Sequence, residues 1–389
     1  MEESREPNGA APIWALGLMS GTSLDGVDAA LLKTDGVRIA AFGPYAGRKY
    51  QGGEMTFVHA MMQDWRAYRP VRGEGFEAEL QAAECEVVRA HAAAVAACLA
   101  GPAHWPAPVM PELIGFHGQT IAHMPEEGWT WQLGDGAALA RVLNRPVVWD
   151  FRSDDMAEGG EGAPLAPFFH FALAKHIGAK APLAFLNIGG VANVTWVDPS
   201  KPAPESEGAL LAFDTGPGNA LLNDWMARKT GEPYDEDGMM AAAGEVDWMS
   251  LHSNALGAFL DRKPPKSLDR NTFAATLKTM EDLSARDGAA TLTALTAECV
   301  AEARRWLPSP PSRWLVCGGG RRNRSMMQML ATRLEAPVEP VEAAGLNGDM
   351  LEAQAFAYLA VRVARGLPTS APSTTGCAGP VSGGRVSRP

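Results

Sequence analysis

Gly17-Leu-Met-Ser-Gly-Thr-Ser-Leu-Asp-Gly-Val-Asp28 sets a tight turn of small, hydroxyl-bearing residues between two apolar runs. Ile13 to Leu18 before it and Val27 to Leu32 after it read as strands, so the turn joins two strands and does not open a helix as a P-loop does. Gly21 and Gly26 let the backbone approach a ligand closely, Thr22 and Ser23 offer hydroxyls, and the consecutive N–H groups of a loop completed by Leu24 and Asp25 form a nest for an anion such as phosphate. A plain hairpin turn with Asp-Gly chemistry accounts for Asp25-Gly26 equally well, so the reading depends on what the rest of the chain adds.

Three further glycine turns follow in order. Asn187-Ile-Gly-Gly-Val-Ala-Asn193, with Gly189 and Gly190 at its tip, lies between the apolar runs Leu183 to Leu186 and Val194 to Val197. Phe213-Asp-Thr-Gly-Pro-Gly-Asn219 follows Leu210-Leu-Ala and brings Gly216, Gly218 and Asn219. Leu315-Val-Cys-Gly-Gly-Gly-Arg-Arg-Asn323 ends a strand in Gly318, Gly319 and Gly320 before a helical stretch, Arg324 to Leu334. A strand–turn–strand near the start, a second past the middle and a glycine-rich turn into a late helix suggest two duplicated nucleotide-binding lobes around a cleft. The expected fold is therefore α/β, with two ribonuclease-H-like lobes. Residues 11–155 form the first lobe, completed by a returning helix over 350–366; residues 156–349 form the second, and 1–10 and 378–389 are expected to be flexible tails.

This order of glycine turns resembles the sugar kinase, Hsp70 and actin superfamily, which implies phosphates at the earlier loops and adenosine at the last. Within it, the 17–28 stretch, Phe116-His-Gly-Gln-Thr120, Asp150-Phe-Arg152 with Gly159-Gly-Glu-Gly-Ala-Pro-Leu165, Phe213 to Asn219, Pro264-Pro-Lys-Ser267 and Glu352-Ala-Gln-Ala-Phe-Ala357 look like the corresponding segments of the anhydro-N-acetylmuramic acid kinases. The resemblance runs from about Trp14 to Gly376. It implies ATP and Mg²⁺ as cofactors, an amino sugar as the other small-molecule partner, and a homodimer. The loops named above, with Asn193 and Asn323, would bind the nucleotide.

The same resemblance makes Asp214 the general base. On the residues alone, Asp214 follows an apolar strand and precedes a helix, a place where a carboxylate faces a ligand crevice or simply caps the helix. Glu352 would stand near the catalytic water, although a carboxylate in a first helical turn is favoured by the dipole whatever its task. His117, Gln119 and Thr120 could hydrogen-bond sugar hydroxyls or an acetamide, with Gly160 close by; a lone histidine at a strand end is also a common structural feature. Arg152 could pair with the lactyl carboxylate through its planar fork, or with Asp154 or Asp155. Met19 stands where many sugar kinases carry a magnesium-side aspartate, leaving that role to Asp25 or Asp214 through water. Ser153, Asp154 and Glu161 depart from the family pattern and leave open a kinase for another amino sugar, and a nucleotide-binding regulator without catalysis is a third reading.

Composition adds limits. A chain of 389 residues suits two lobes better than one core. A formal net charge of −11 argues against nucleic acid or an anionic membrane as partner. Cysteines 85, 98, 299, 317 and 377 contain no CxxC pair and read as reduced core thiols. Without a signal-like N-terminus or an apolar run of membrane-spanning length, the cytoplasm is the expected location.

Overall fold

The computed structural model describes residues 10–68, 77–101, 109–252, 257–268 and 274–389. They divide into two compact units, one reaching to His176 and resumed by Met350–Pro389, the other Ile177–Asp349. The expected flexible tail over 1–10 lies, but for Ala10, outside the described residues.

In the first unit, β1 (Ile13–Ser20), β2 (Gly26–Thr34) and β3 (Ile39–Lys49) form an antiparallel meander. β4 (Leu113–Met124) lies parallel to β1, and β6 (Val147–Trp149) parallel to β4, while β5 (Trp129–Leu133) folds back on the far end of β4. Strand alternation separates the faces of β1. Leu16 and Leu18 join the core built with Val87, Ala94 and Val95 of the helix Glu77–Ala100. Gly17 points the other way, towards the helix Leu351–Ala364: a Cβ there would lie 1.8 Å from the Ala353 carbonyl oxygen. Its parallel neighbour Gly115 meets the Phe356 carbonyl at 2.2 Å in the same sense. The two glycines thus make a flat floor on which helix backbone rests directly, and that helix, apolar nearly all round, is buried along most of its length.

The second unit repeats the plan. β7 (Leu183–Ile188), β8 (Val191–Val197) and β9 (Leu210–Pro217) form a meander, and β10 (Trp314–Cys317) and β11 (Val338–Pro340) continue it in parallel beyond β7. Leu186, Ile188, Val194, Phe213 and Val316 pack against Val300, Met326 and Leu330 from two helices. A meander whose first strand is followed by two parallel strands, found in both units, is the ribonuclease-H-like arrangement expected from the sequence.

Several expectations need correction. The division falls after His176 rather than at 155, because the helix Pro167–His176 packs on β3 and on the helix Leu351–Ala364. The tail over 378–389 is not loose: β12 (Arg385–Ser387) pairs antiparallel with β6, Gly384 N–H donates to Asp154, and Arg385 pairs with Asp150 at 2.9 Å. The apolar run Leu113 to Phe116 reads from the sequence as a short strand, but β4 does not stop there; it bends at Gly118, whose φ is +75°, and runs on to pair with β5.

Four histidines of the first unit, His91, His117, His123 and His170, are held by burial below the ordinary imidazole range, His91 and His123 at about 4 and His170 at about 3. Their stabilising effect is complete above the unfolded value near 6.5. It is lost as the pH falls towards 4, because the unfolded chain takes up protons that the folded one refuses. Burial raises the pKa of Glu84 and Glu352, which act in the opposite sense. The second unit contains a single histidine, His252. Acidification from pH 7 to 4.5 is therefore expected to speed hydrogen exchange, corrected for its intrinsic pH dependence, in the first unit before the second. Equal loss of protection in both would contradict this.

Candidate functional site

The first loop takes its shape from its own residues. Leu24 N–H turns back to the Gly21 carbonyl at 3.3 Å, Leu24 adopts φ +52°, and Ser23 Oγ donates to Asp25 Oδ1 at 3.0 Å. Thr22, Ser23 and Asp25 are exposed. A Cβ on Gly21 would meet nothing closer than Ser23 Oγ at 3.6 Å, whereas one on Gly26 would strike the Arg48 carbonyl at 2.4 Å. Chain packing thus accounts for Gly26 as glycine, whereas a Cβ at Gly21 would make only ordinary contact.

The same test sorts the other glycines. Gly216 is closed by Cys299, Gly218 by the Gly189 carbonyl, Gly318 by Asn187, Gly320 by Ile188, and Gly160 by the Asp155 carboxylate at 2.2 Å. Gly189, Gly190 and Gly319 meet their nearest neighbours only at 3.6–3.7 Å. Of the sequence-chosen glycines, therefore, Gly21, Gly189, Gly190 and Gly319 would each accept a Cβ at ordinary contact distance from the described residues, so packing does not by itself require glycine there. Gly160 does not serve as a sugar contact by its absent side chain; it makes room for Asp155.

In the first unit the polar groups gather around Arg152. Its Nη1 donates to the Gly162 carbonyl at 2.7 Å, and Nε and Nη2 approach His117 Nε2 at 3.3 and 2.9 Å. His117 Nδ1 donates to the Gly118 carbonyl at 2.9 Å, so the ring is the Nδ1–H tautomer with Nε2 as acceptor. Burial, reinforced by the neighbouring guanidinium, holds the His117 pKa well down and keeps the ring neutral. With both nitrogens engaged and only 4% exposed, His117 orients Arg152 rather than reaching a sugar. One N–H remains on each terminal nitrogen of Arg152, the pair of donors a carboxylate accepts. Burial lowers Arg152 to about 10, while Glu352 and Asp155 pull it upward.

Arg152 forms no direct ion pair with Asp154 or Asp155. Asp155, 1% exposed, accepts from Ser370, from Thr375 at 2.6 Å and from Gly162 N–H at 2.7 Å, anchoring the glycine whose carbonyl holds Arg152. Ser153 donates to Asp150, and Asp154 accepts Gly384 N–H. Gln119, 0% exposed, has its amide filled by Ser20 and by the Gly21 carbonyl, so it braces the first loop rather than offering itself to a sugar. Thr120 is half-buried and accepts from Gln132 at 3.4 Å. Beside these residues a cavity of about 170 Å³ is lined by His117, Trp131, Gln132, Trp149, Asp150 and Ser153. Glu352 begins the helix Leu351–Ala364; its side chain reaches solvent, yet crowding protein raises its pKa while Arg152 draws it back.

In the second unit Asp214 lies within β9, which continues to Pro217, so it does not cap the helix Asn219–Thr230; Gly218 occupies that position. Asn187, Asn193 and Asp214 are successive cross-strand partners on β7, β8 and β9, a half-buried polar row beside the glycine turns. Asp214 N–H donates to the Lys266 carbonyl at 3.0 Å, and Asp214 Oδ2 accepts Leu268 N–H at 2.8 Å. The 264–268 segment is itself pinned by Lys266, 2% exposed, whose ammonium donates to the Phe259 and Leu260 carbonyls among the rings of Phe213, Phe259 and Trp306. Burial lowers this lysine to about 8. Sequence reading left Asn187 and Lys266 without roles; the symmetry of Asn187 and Asn193 about the Gly-Gly tip was the available signal.

The Gly189 and Gly190 carbonyls accept the N–H groups of Gly218, Asn219 and Ala220, so this turn caps the following helix, and Asn219 Nδ2 reaches the Ile188 carbonyl at 3.0 Å. Asn323, assigned to nucleotide, caps the helix Arg324–Arg333 through Met326 N–H. Among the described residues no three His, Cys, Asp or Glu side chains are grouped to hold a metal. Exposed Asp25 in the first loop has the oxygen donor that Mg²⁺ takes, usually together with substrate phosphates.

The family model for anhydro-N-acetylmuramic acid kinase matches residues 14–388, which takes in the C-terminal strand as well. A curated relative from Cereibacter sphaeroides is 54% identical over 377 residues, 97% of this chain and 96% of its own. Another, from Ruegeria sp. (strain TM1040), is 52% identical over 383 residues, 98% and 96% of the two chains. A third, from Roseobacter denitrificans, is 51% identical over 378 residues, 97% and 95%. All three bear the name anhydro-N-acetylmuramic acid kinase. With both sheets, the glycine turns and nearly the whole length matched, the chain belongs to the anhydro-N-acetylmuramic acid kinase family.

Proposed function

We propose that this protein opens 1,6-anhydro-N-acetylmuramic acid with water and phosphorylates O6 from ATP, giving N-acetylmuramate 6-phosphate for cell-wall sugar recycling. Water attacks the anomeric carbon and the bond from C1 to O6 breaks. O6 takes the γ-phosphoryl group as ADP leaves, and the proton of water passes to Asp214. The observation that carries this reading is Asp214 itself, in the Asn187–Asn193 row, its carboxylate aimed by Leu268 N–H beside the glycine turn at Gly189 and Gly190. A base that acts on water needs placement first.

Arg152, with two N–H groups to offer, receives the lactyl carboxylate, and Glu352 assists near the attacking water. Thr120 contributes to sugar binding beside them. Gly21, Thr22 and Ser23 take the phosphates, with Gly189, Gly190 and Asn193, and Gly319 lies under adenosine. Mg²⁺, held by Asp25 or Asp214 through water, would neutralise charge on the transferring phosphate. We place the enzyme in the cytoplasm as a homodimer. The case for a different amino sugar rested on Ser153, Asp154 and Glu161, and the first two are tied to Asp150 and Gly384.

The test is isotopic. Reaction in ¹⁸O-water is expected to place the heavy atom at C1 of the product and none in its phosphoester. Early time points and a product-only control correct for exchange through ring opening. Label in the phosphoester, or C1 label no faster than the control, would rule out coupled hydrolysis and phosphorylation.

A further inference from the structure

Tyr50 follows β3 directly and touches both ends of the first loop. Its backbone N–H donates to the Asp25 carbonyl at 3.1 Å, at the loop's exit. Its hydroxyl lies 2.8 Å from Ser20 Oγ, Ser20 Oγ lies 2.6 Å from Gln119 Oε1, and Gln119 Nε2 lies 3.1 Å from the Gly21 carbonyl, at the loop's entry. The direction of this chain is determined. A carbonyl accepts only, so the Gln119 amide must turn its nitrogen to Gly21 and its oxygen to Ser20. The serine has one hydrogen, which goes to Gln119, so Tyr50 must donate to Ser20.

We infer that Tyr50 is a positioning residue for nucleotide phosphate, clamping the Gly21–Asp25 loop at Asp25 by its backbone and at Gly21 through the relay of Ser20 and Gln119. The loop needs such support because Thr22 and Ser23 are exposed and its internal bonds, at 3.0 and 3.3 Å, are local. Buried Gln119 cannot be replaced in the relay by water from outside. Burial also keeps the phenol protonated, pushed up to about 12, so the donor persists across the working pH range. The ring of Tyr50 packs with the core cluster, which Phe would preserve.

The inference rests on assigning this loop to the phosphates, and its test reads binding, not turnover. Titrate a non-hydrolysable ATP analogue and, separately, adenosine into wild type, Tyr50→Phe, Ser20→Ala, the double variant and Gly21→Val. Loss of one relay bond is expected to weaken analogue binding about two- to tenfold in each single variant. Adenosine binding should stay within error. Because both substitutions cut one chain, the double variant should be no weaker than the weaker single. An unchanged analogue constant in Tyr50→Phe, multiplied effects in the double, or equal weakening of adenosine would overturn the clamp. Unchanged analogue binding in Gly21→Val withdraws the loop assignment and the clamp with it, while Tyr50→Phe alone decides if Ser20→Ala does not fold. Failure of the anhydro-sugar reading would appear instead as a wild type that binds nucleotide normally but yields no sugar phosphate.

Discussion

Replacing Asp214 by Asn is expected to lower kcat by about 10²- to 10⁴-fold, the range ascribed to a positioned general base. The substitution is close to isosteric, and the Asn oxygen can still accept Leu268 N–H, so the bond that aims the side chain survives. Thermal stability and ATP affinity should therefore stay near wild type, separating chemistry from folding. Steady-state rates, a melting curve and a nucleotide titration on one preparation decide it. Turnover within a few-fold of wild type would remove Asp214 as base, and a collapsed melting temperature would show it to be a structural tie between β9 and the 264–268 segment. Glu352 would then be the carboxylate to examine, since it is the other acid that the family resemblance places near the water, and crowding raises its pKa.

The second large effect concerns Arg152. Arg152→Lys is expected to raise KM for the anhydro sugar roughly 10- to 100-fold, as a charge-assisted bond is lost, with KM for ATP little changed. Lysine keeps the charge but not the fork. It cannot hold the Gly162 carbonyl and His117 while presenting two parallel N–H groups to a carboxylate. A sugar analogue lacking the lactyl carboxylate should bind wild type and variant alike. If it too distinguishes them, Arg152 acts on another part of the sugar, and an unchanged KM for the natural substrate would exclude contact altogether.

The glycine turns and apolar runs made the two sheets legible before any coordinates. β7 and β8 fall where the runs around Gly189-Gly190 place them, since a hairpin whose last pair, Ile188 with Ala192, encloses only three residues leaves little freedom of register. The loop between β1 and β2 was readable from the apolar runs that flank it, although the last pair, Met19 with Asp28, encloses a longer connection. β12 was not, because its pairing with β6 joins residues more than two hundred positions apart, and a short glycine- and arginine-rich segment carries no local strand signal. The extension of β4 beyond Phe116 was hidden by Gly118, which reads as a terminator and serves as a bend.

Which polar residues face a ligand and which hold the protein together was beyond local pattern. His117, Gln119, Gly160 and Asn323 carry the right chemistry for binding, but their hydrogen-bonding capacity or space is taken by Arg152, Ser20, Asp155 and a helix N-terminus. A donor's availability depends on every partner that folding brings within about 3 Å, and those partners come from distant segments. The residue types and their order along the chain were enough to determine the α/β class, the duplicated plan and the family. Tertiary structure alone decided that Arg152 keeps two donors open, that Asp214 stands in a polar row on β9, and that packing requires glycine at Gly26, Gly216 and Gly218 but not at Gly21, because each of these depends on what the rest of the chain has already filled.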